Sequence, residues 1–206
     1  MRKLIALIPA ALLTTAILAQ AQAPPAKPTT KPATKTTAQP TRKADEFVIH
    51  MSSGPDQLLS AYRGKVVVMA FMYTTCPHCQ HTAGVLSKVQ TEYAAKGVQV
   101  LGVTFDVNAK AGVAGFIKLT GANFPCGYSN EDLVKKFMHV DGDYFVPMLA
   151  FIDRTGTIRR QIISAGDPNG EADKFLADQE NAIRKEIDKY LKPAGTTATA
   201  KKSTKS

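Results

Sequence analysis

The sequence predicts an α/β fold built on a mixed sheet, and three observations point to it. Two β-branched, apolar runs, Lys65 to Phe71 and Val98 to Phe105, flank a segment of helical periodicity; this is the pattern of a parallel crossover unit. Further on, Met148 to Ile152 and Thr157 to Ile163 are separated by Asp153-Arg154-Thr155-Gly156, which reads as an antiparallel hairpin. A final amphipathic stretch from Ala172 to Leu191 supplies a long helix. Parallel and antiparallel pairing in one chain require a mixed sheet.

Each element has its own warrant. Phe47 to Met51, the turn residues Ser52-Ser53-Gly54-Pro55-Asp56 and then Leu58-Leu59 suggest an opening strand or hairpin. Lys65 to Phe71 has no polar face, so it is expected in the centre of the sheet. Val85, Leu86, Val89 and Tyr93 recur at spacings of three and four and mark one face of a helix, with Gly97 as its stop. Lys110 to Thr120 forms a second helix through Val113, Phe116 and Ile117, closed by Gly121, and Asn123-Phe124-Pro125-Cys126 is a short extended segment. Ser129-Asn130-Glu131-Asp132 offers a cap and first-turn acids to a third helix carrying Leu133, Val134, Phe137 and Met138. Ala172, Phe175, Leu176, Ala182, Ile183, Ile187, Tyr190 and Leu191 then outline the last helix, stopped by Pro193.

The two ends differ in kind from this middle. Met1-Arg2-Lys3, the apolar stretch Leu4 to Ala19 and the small-residue site Ala19-Gln20-Ala21 predict a signal peptide over residues 1–21. Its apolar run is shorter than the roughly 20 residues that span a bilayer, so cleavage is expected, with retention as a membrane anchor the alternative. Export, to the periplasm, is the expected localisation. Residues 22–44 form a Pro/Thr/Lys-rich linker and residues 193–206 a basic tail. Both hold too little apolar surface to offset the cost of ordering and are expected to be disordered. Residues 45–192 are left as one domain. The net charge of +9 belongs to the ends, because residues 45–192 hold 16 Lys and Arg against 17 Asp and Glu. That balance removes the case for nucleic-acid binding.

Chemistry is concentrated at Cys76-Pro77-His78-Cys79, between the first apolar run and its helix. A sulfur at a helix start faces unpaired N–H groups and the positive end of the helix dipole, which favour thiolate over thiol. A free cysteine titrates near about 8.5, and such a setting lowers that by one to several units. Cys79 lies one turn on, within disulfide reach of Cys76. A redox dithiol is therefore the leading reading. Cys126 is left over, either as a buried apolar filler, the favoured reading, or as a third redox centre.

Gly64-Lys65-Val66-Val67-Val68, Phe71 to Cys79, Gly97 to Val103, Phe124-Pro125 and Val146-Pro147 followed by Phe151-Ile152-Asp153-Arg154-Thr155-Gly156 occur in an order that resembles the exported thioredoxin-like proteins of the TlpA/ResA type. The match covers most of residues 45–192. It implies a thioredoxin-like fold, with helices on both faces of a mixed central sheet, and thiol-disulfide exchange without a cofactor or metal. It further implies that Cys76 is the attacking thiol, Cys79 the resolving thiol, and Pro147 a cis proline beside them, with Val146 presenting backbone groups to a bound peptide. The implied partners are exported protein thiols or disulfides and a membrane-bound thiol electron donor. Jobs of relatives include reduction of apocytochrome c in cytochrome c biogenesis.

The chain also departs from that pattern. Thr75 stands where many relatives have Trp, Thr82 where they have Glu, Gly84 where the helix proline is expected, and Ala70 where thioredoxins carry a buried acid. Pro77-His78 and Val146 instead resemble the oxidising DsbA-type enzymes, in which stabilising the reduced thiolate makes the disulfide a stronger oxidant. His78 is the residue placed to do so; His81 reads as a surface residue. Phe71, Tyr73-Thr74 and Cys76-Pro77 also resemble SCO-type copper chaperones of cytochrome oxidase assembly, for which two thiolates and a histidine such as His139 would suit copper. Those proteins space their cysteines three apart, and here the spacing is two. Peroxiredoxin-like proteins place Thr and Pro where this chain has Tyr73 and Met69, which disfavours a thiol peroxidase.

Overall fold

The computed structural model describes residues 41–164 and 169–192. The expected signal peptide, nearly all of the linker and the tail lie outside these residues. Among the described residues eight strands and five α-helices follow one another: β1 (Arg42–Lys43), β2 (Val48–Ile49), β3 (Gln57–Leu58), β4 (Val66–Met72), α1 (Pro77–Tyr93), β5 (Val98–Thr104), α2 (Ala109–Thr120), β6 (Cys126–Tyr128), α3 (Glu131–Met138), β7 (Met148–Ile152), β8 (Thr157–Ile162), α4 (Glu171–Ala177) and α5 (Gln179–Leu191). Six strands form one sheet in the order β1-β8-β7-β4-β5-β6, and β2 and β3 pair separately. β4, β5 and β6 run parallel, while β7 and β8 are antiparallel to their neighbours. The mixed sheet expected from the crossover and the hairpin is present.

All seven residues of β4 are buried, and alternation sends them to two cores. Val66, Val68, Ala70 and Met72 face α1, α2, α4 and α5, where Leu86, Phe116, Phe175 and Ile187 pack. Val67, Met69 and Phe71 face the β2–β3 pair and α3, where Phe47, Leu59, Phe137 and Met138 pack. Helices thus cover both faces. At roughly 1.5–3 kcal/mol per large apolar side chain, β4 accounts for on the order of 10 kcal/mol of gross burial energy. It gives the loop at its C-terminal end a rigid base.

Two boundaries differ from the sequence reading. Arg42 and Lys43, assigned there to the linker, pair with Ile158 and Thr157 at the sheet edge, and Arg42 Nη2 donates to the Phe137 carbonyl. The ordered part therefore begins before Asp45. The expected single last helix is two helices broken at Asp178, whose φ of −122° and ψ of 42° leave the helical region. Phe175 and Ile183 still reach the same core, so the apolar pattern continues through the break. Gly127 allows β6 to approach the first segment, where His50 and Tyr128 form a bridge; a Cβ on Gly127 would overlap the His50 carbonyl.

Candidate active site

The dithiol sits where β4 hands over to α1, at the carboxyl edge of the parallel strands, the end where α/β sheets commonly place their ligands. Cys76 is the N-cap of α1, with extended backbone, and its sulfur accepts from the Cys79 N–H at 3.4 Å. Pro77 fills the first helical position, where a missing N–H costs nothing. Both thiols are free. Cys76 is partly exposed, and its thiol lies 3.9 Å from the Val146 carbonyl oxygen. The Val146–Pro147 peptide bond is cis, as the resemblance implied.

Cys79 occupies a different environment. It has no exposed surface, and its sulfur accepts from the Tyr73 N–H at 3.4 Å. Burial pushes its thiol well above the ordinary range, against the opposing effect of the Tyr73 N–H, and the proximity of Cys76 and Asp106 pushes it further. Cys126 is buried too, and burial raises it to about 12. A Cβ on Gly102 would lie 2.7 Å from the Cys126 sulfur, so Cys126 fills the space opposite Gly102 as apolar packing.

His78 is exposed in the first turn of α1 and makes no hydrogen bond to the Cys76 sulfur; it lines a groove of about 460 Å³ shared with Phe145, Val146, Pro147, Leu176 and Gln179. Phe145 is 67% exposed, beside the dithiol. His139 lies at the C-cap of α3 with a left-handed φ of 53°, outside this constellation. Among the described residues no group of three or more His, Cys, Asp or Glu is placed to hold a metal.

Three residues at the site were missed by the sequence reading. Asp106, just past β5, accepts from the Thr74 N–H at 2.6 Å and the Thr74 hydroxyl at 3.2 Å. Tyr144 exchanges a hydrogen bond with Tyr73 at 2.8 Å and donates to Glu131 at 2.7 Å; burial first, then these partners, holds its phenol protonated. Gln179 accepts from the Thr82 hydroxyl at 2.8 Å in the core. The available signal was position alone: Asp106 follows the strand next to the dithiol strand, and Tyr144 precedes Val146-Pro147.

A buried and an accessible thiol on one helix start, facing a carbonyl of a cis-proline loop on a thioredoxin-like sheet, define the class: this enzyme is a thiol-disulfide oxidoreductase. The chain belongs to the AhpC/TSA family, whose model matches residues 40–161, and within it the TlpA/ResA-type resemblance holds. It is 28% identical over 133 residues to the thiol-disulfide oxidoreductase ResA of Geobacillus kaustophilus, covering 65% of this chain and 74% of that protein. A ResA of Bacillus anthracis is 27% identical over 125 residues, 59% of this chain and 68% of that one. Among solved structures, a thioredoxin-family thiol:disulfide interchange protein of Chlorobium tepidum superposes with a TM-score of 0.58 at 20% identity, over 76% of this chain and all of that one. A secreted disulfide oxidoreductase of Mycobacterium tuberculosis gives 0.53 at 17% identity, over 68% of this chain and 95% of that one. These structural likenesses show the fold.

Proposed function

We propose that the protein exchanges thiols and disulfides with exported proteins through Cys76 and Cys79. The observation that carries this reading is the asymmetry of the pair: one sulfur partly exposed at the helix N-cap, the other sealed beneath it. Cys76, as thiolate, attacks one sulfur of a substrate disulfide; the substrate S–S bond breaks and its other sulfur leaves as a thiolate. Cys79 then loses its proton to solvent or a base and attacks Cys76 Sγ in the mixed disulfide. The second substrate sulfur departs, the substrate has gained two electrons, and the enzyme holds the Cys76–Cys79 disulfide. A dithiol donor at the membrane restores the reduced enzyme, or the same steps run backwards when the enzyme oxidises a substrate.

Val146 and Pro147 form the wall against which a substrate strand pairs, and Pro77 and His78 shape the first turn under Cys76. On this reading residues 1–21 direct export, the linker from residue 22 up to β1 tethers the domain, and apocytochrome c is one substrate to try. The test is trapping: Cys79→Ala should accumulate mixed disulfides with exported proteins, and Cys76→Ala should form none. Absence of any mixed disulfide in Cys79→Ala would remove exchange chemistry from this site. The equilibrium with glutathione then gives the direction: a potential near roughly −180 mV or above favours oxidation, one near roughly −270 mV reduction.

A further inference from the structure

The acid that the related folds bury beneath the dithiol is missing, since position 70 is Ala70 and position 82 is Thr82, both fully buried. A carboxylate nevertheless reaches the site from the neighbouring strand. Asp106 Oδ2 accepts from the Thr74 N–H at 2.6 Å, and Oδ1 accepts from the Thr74 hydroxyl at 3.2 Å and the Asn108 N–H at 3.1 Å. The Thr74 carbonyl accepts from Gln80 Nε2 at 3.3 Å, and a Cβ on Gly112 would come within 3.0 Å of the Thr74 hydroxyl. Thr74 is therefore clamped at every polar atom. The amide before it, that of Tyr73, is the one that donates to the Cys79 sulfur. Two successive N–H groups of one loop are thus committed, the first to the resolving sulfur and the second to a carboxylate.

We propose that Asp106 is a positioning residue of the redox site that fixes the Tyr73-Thr74 amides under Cys79 and sets a carboxylate beside that loop, slowing resolution of the mixed disulfide. This rests on the exchange reading above. The groups that bond to Cys79 or act on it by charge are Cys76 from its own helix, the Tyr73 N–H from the β4 loop and Asp106 from just past β5. His78 and His81 of α1 are exposed. Asp106 accordingly places a carboxylate near a buried thiol, where Coulomb interactions are screened least. A slow second step lengthens the life of the enzyme–substrate disulfide and gives the substrate's own second thiol time to resolve it.

Mixing the reduced full-length protein with dithiobis-nitrobenzoate separates the two steps. Cys76 attack releases one coloured thiolate, and Cys79 attack on the resulting mixed disulfide releases a second; the phase missing in Cys79→Ala is the second. In Asp106→Asn the amide oxygen still accepts from the Thr74 N–H and the Thr74 hydroxyl turns to accept from the new amide nitrogen, so only the Asn108 N–H loses its acceptor while the charge is gone. The second phase should then run about threefold faster at neutral pH, since one pKa unit gives about tenfold more thiolate but a less nucleophilic sulfur, with its pH inflection moved down, and Asp106→Glu should restore the wild-type rate. An unchanged or slower second phase in Asp106→Asn overturns the proposal. Asp106→Ser, a short uncharged acceptor, takes its place and is judged by the same criterion should the asparagine variant not fold. Absence of the first phase in the wild-type protein would instead refute the exchange reading itself.

Discussion

Replacing Thr82 with valine isolates one hydrogen bond in the core under the dithiol. Valine keeps the shape and removes Oγ1, which lies 2.8 Å from Gln179 Oε1 and 2.9 Å from the His78 carbonyl. The His78 carbonyl keeps the helical N–H of residue 82. Gln179, only 8% exposed, is left with an unpaired amide oxygen. Leaving a buried acceptor unsatisfied costs about 1–3 kcal/mol. With a urea slope of about 2 kcal/mol per molar, the unfolding midpoint should fall by about 0.5–1.5 M. Pairing the change with Gln179→Leu removes both polar partners, and the double variant should recover to within about 1 kcal/mol of wild type, since a pair replaced together is nearly neutral. Circular dichroism in urea reads both. The potential of the dithiol should not move, because neither group is charged. A single-variant loss under about 0.5 kcal/mol, or a double variant that pays the full sum, would refute the view that this bond locks α1 to α5.

Two further outcomes follow from the geometry. Tyr144→Phe cuts the link from Tyr73 to Glu131 and loosens the loop that carries Val146 against the loop that carries Cys76; KM for a protein substrate should rise about fivefold, the worth of one hydrogen bond, with kcat and the potential unchanged. Glu186 is buried, which pushes its carboxyl up, but hydrogen bonds from Lys189 and Tyr190 and the charge of Arg160 outweigh burial and leave it below its ordinary 4.5. A depressed folded value means the contribution is complete above 4.5 and is lost as pH falls through the lowered value. Stability measured in urea from about pH 7 to about pH 3 should therefore show a shallower acid loss in Glu186→Gln than in wild type.

The parts of the fold legible in the sequence were those that bury apolar surface in a local pattern. β4 and β5 announced themselves as runs with no polar face, α1 and α3 by their spacing and caps, and the β7–β8 hairpin by Asp153 to Gly156, where Gly156 adopts a φ of 75°. β1 gave no such signal. Arg42 and Lys43 are polar, and what orders them is backbone pairing to β8 together with the reach of Arg42 to the Phe137 carbonyl, neither of which leaves a mark on composition. The break at Asp178 was hidden for the opposite reason, since Phe175 and Ile183 belong to one core and keep the periodicity running across it.

The site divides along the same line. Cys76 and Cys79 were legible because their spacing and the helix start carry the chemistry themselves. The groups that brace the loops and helices around them were not, because they come from elsewhere in the chain: Asp106 from just past β5, Tyr144 from the loop before Pro147, Gln179 from α5. From Ala70 and Thr82 alone the sequence implied a dithiol with no acid near it. The fold supplies one from just past β5 instead, bound to the Thr74 amide and hydroxyl. A carboxylate held by three donors is fixed in place, which suits a positioning group better than a mobile proton acceptor. That difference is why the rate of the second step, and not the presence of the two cysteines, distinguishes this site from a dithiol backed by a buried base.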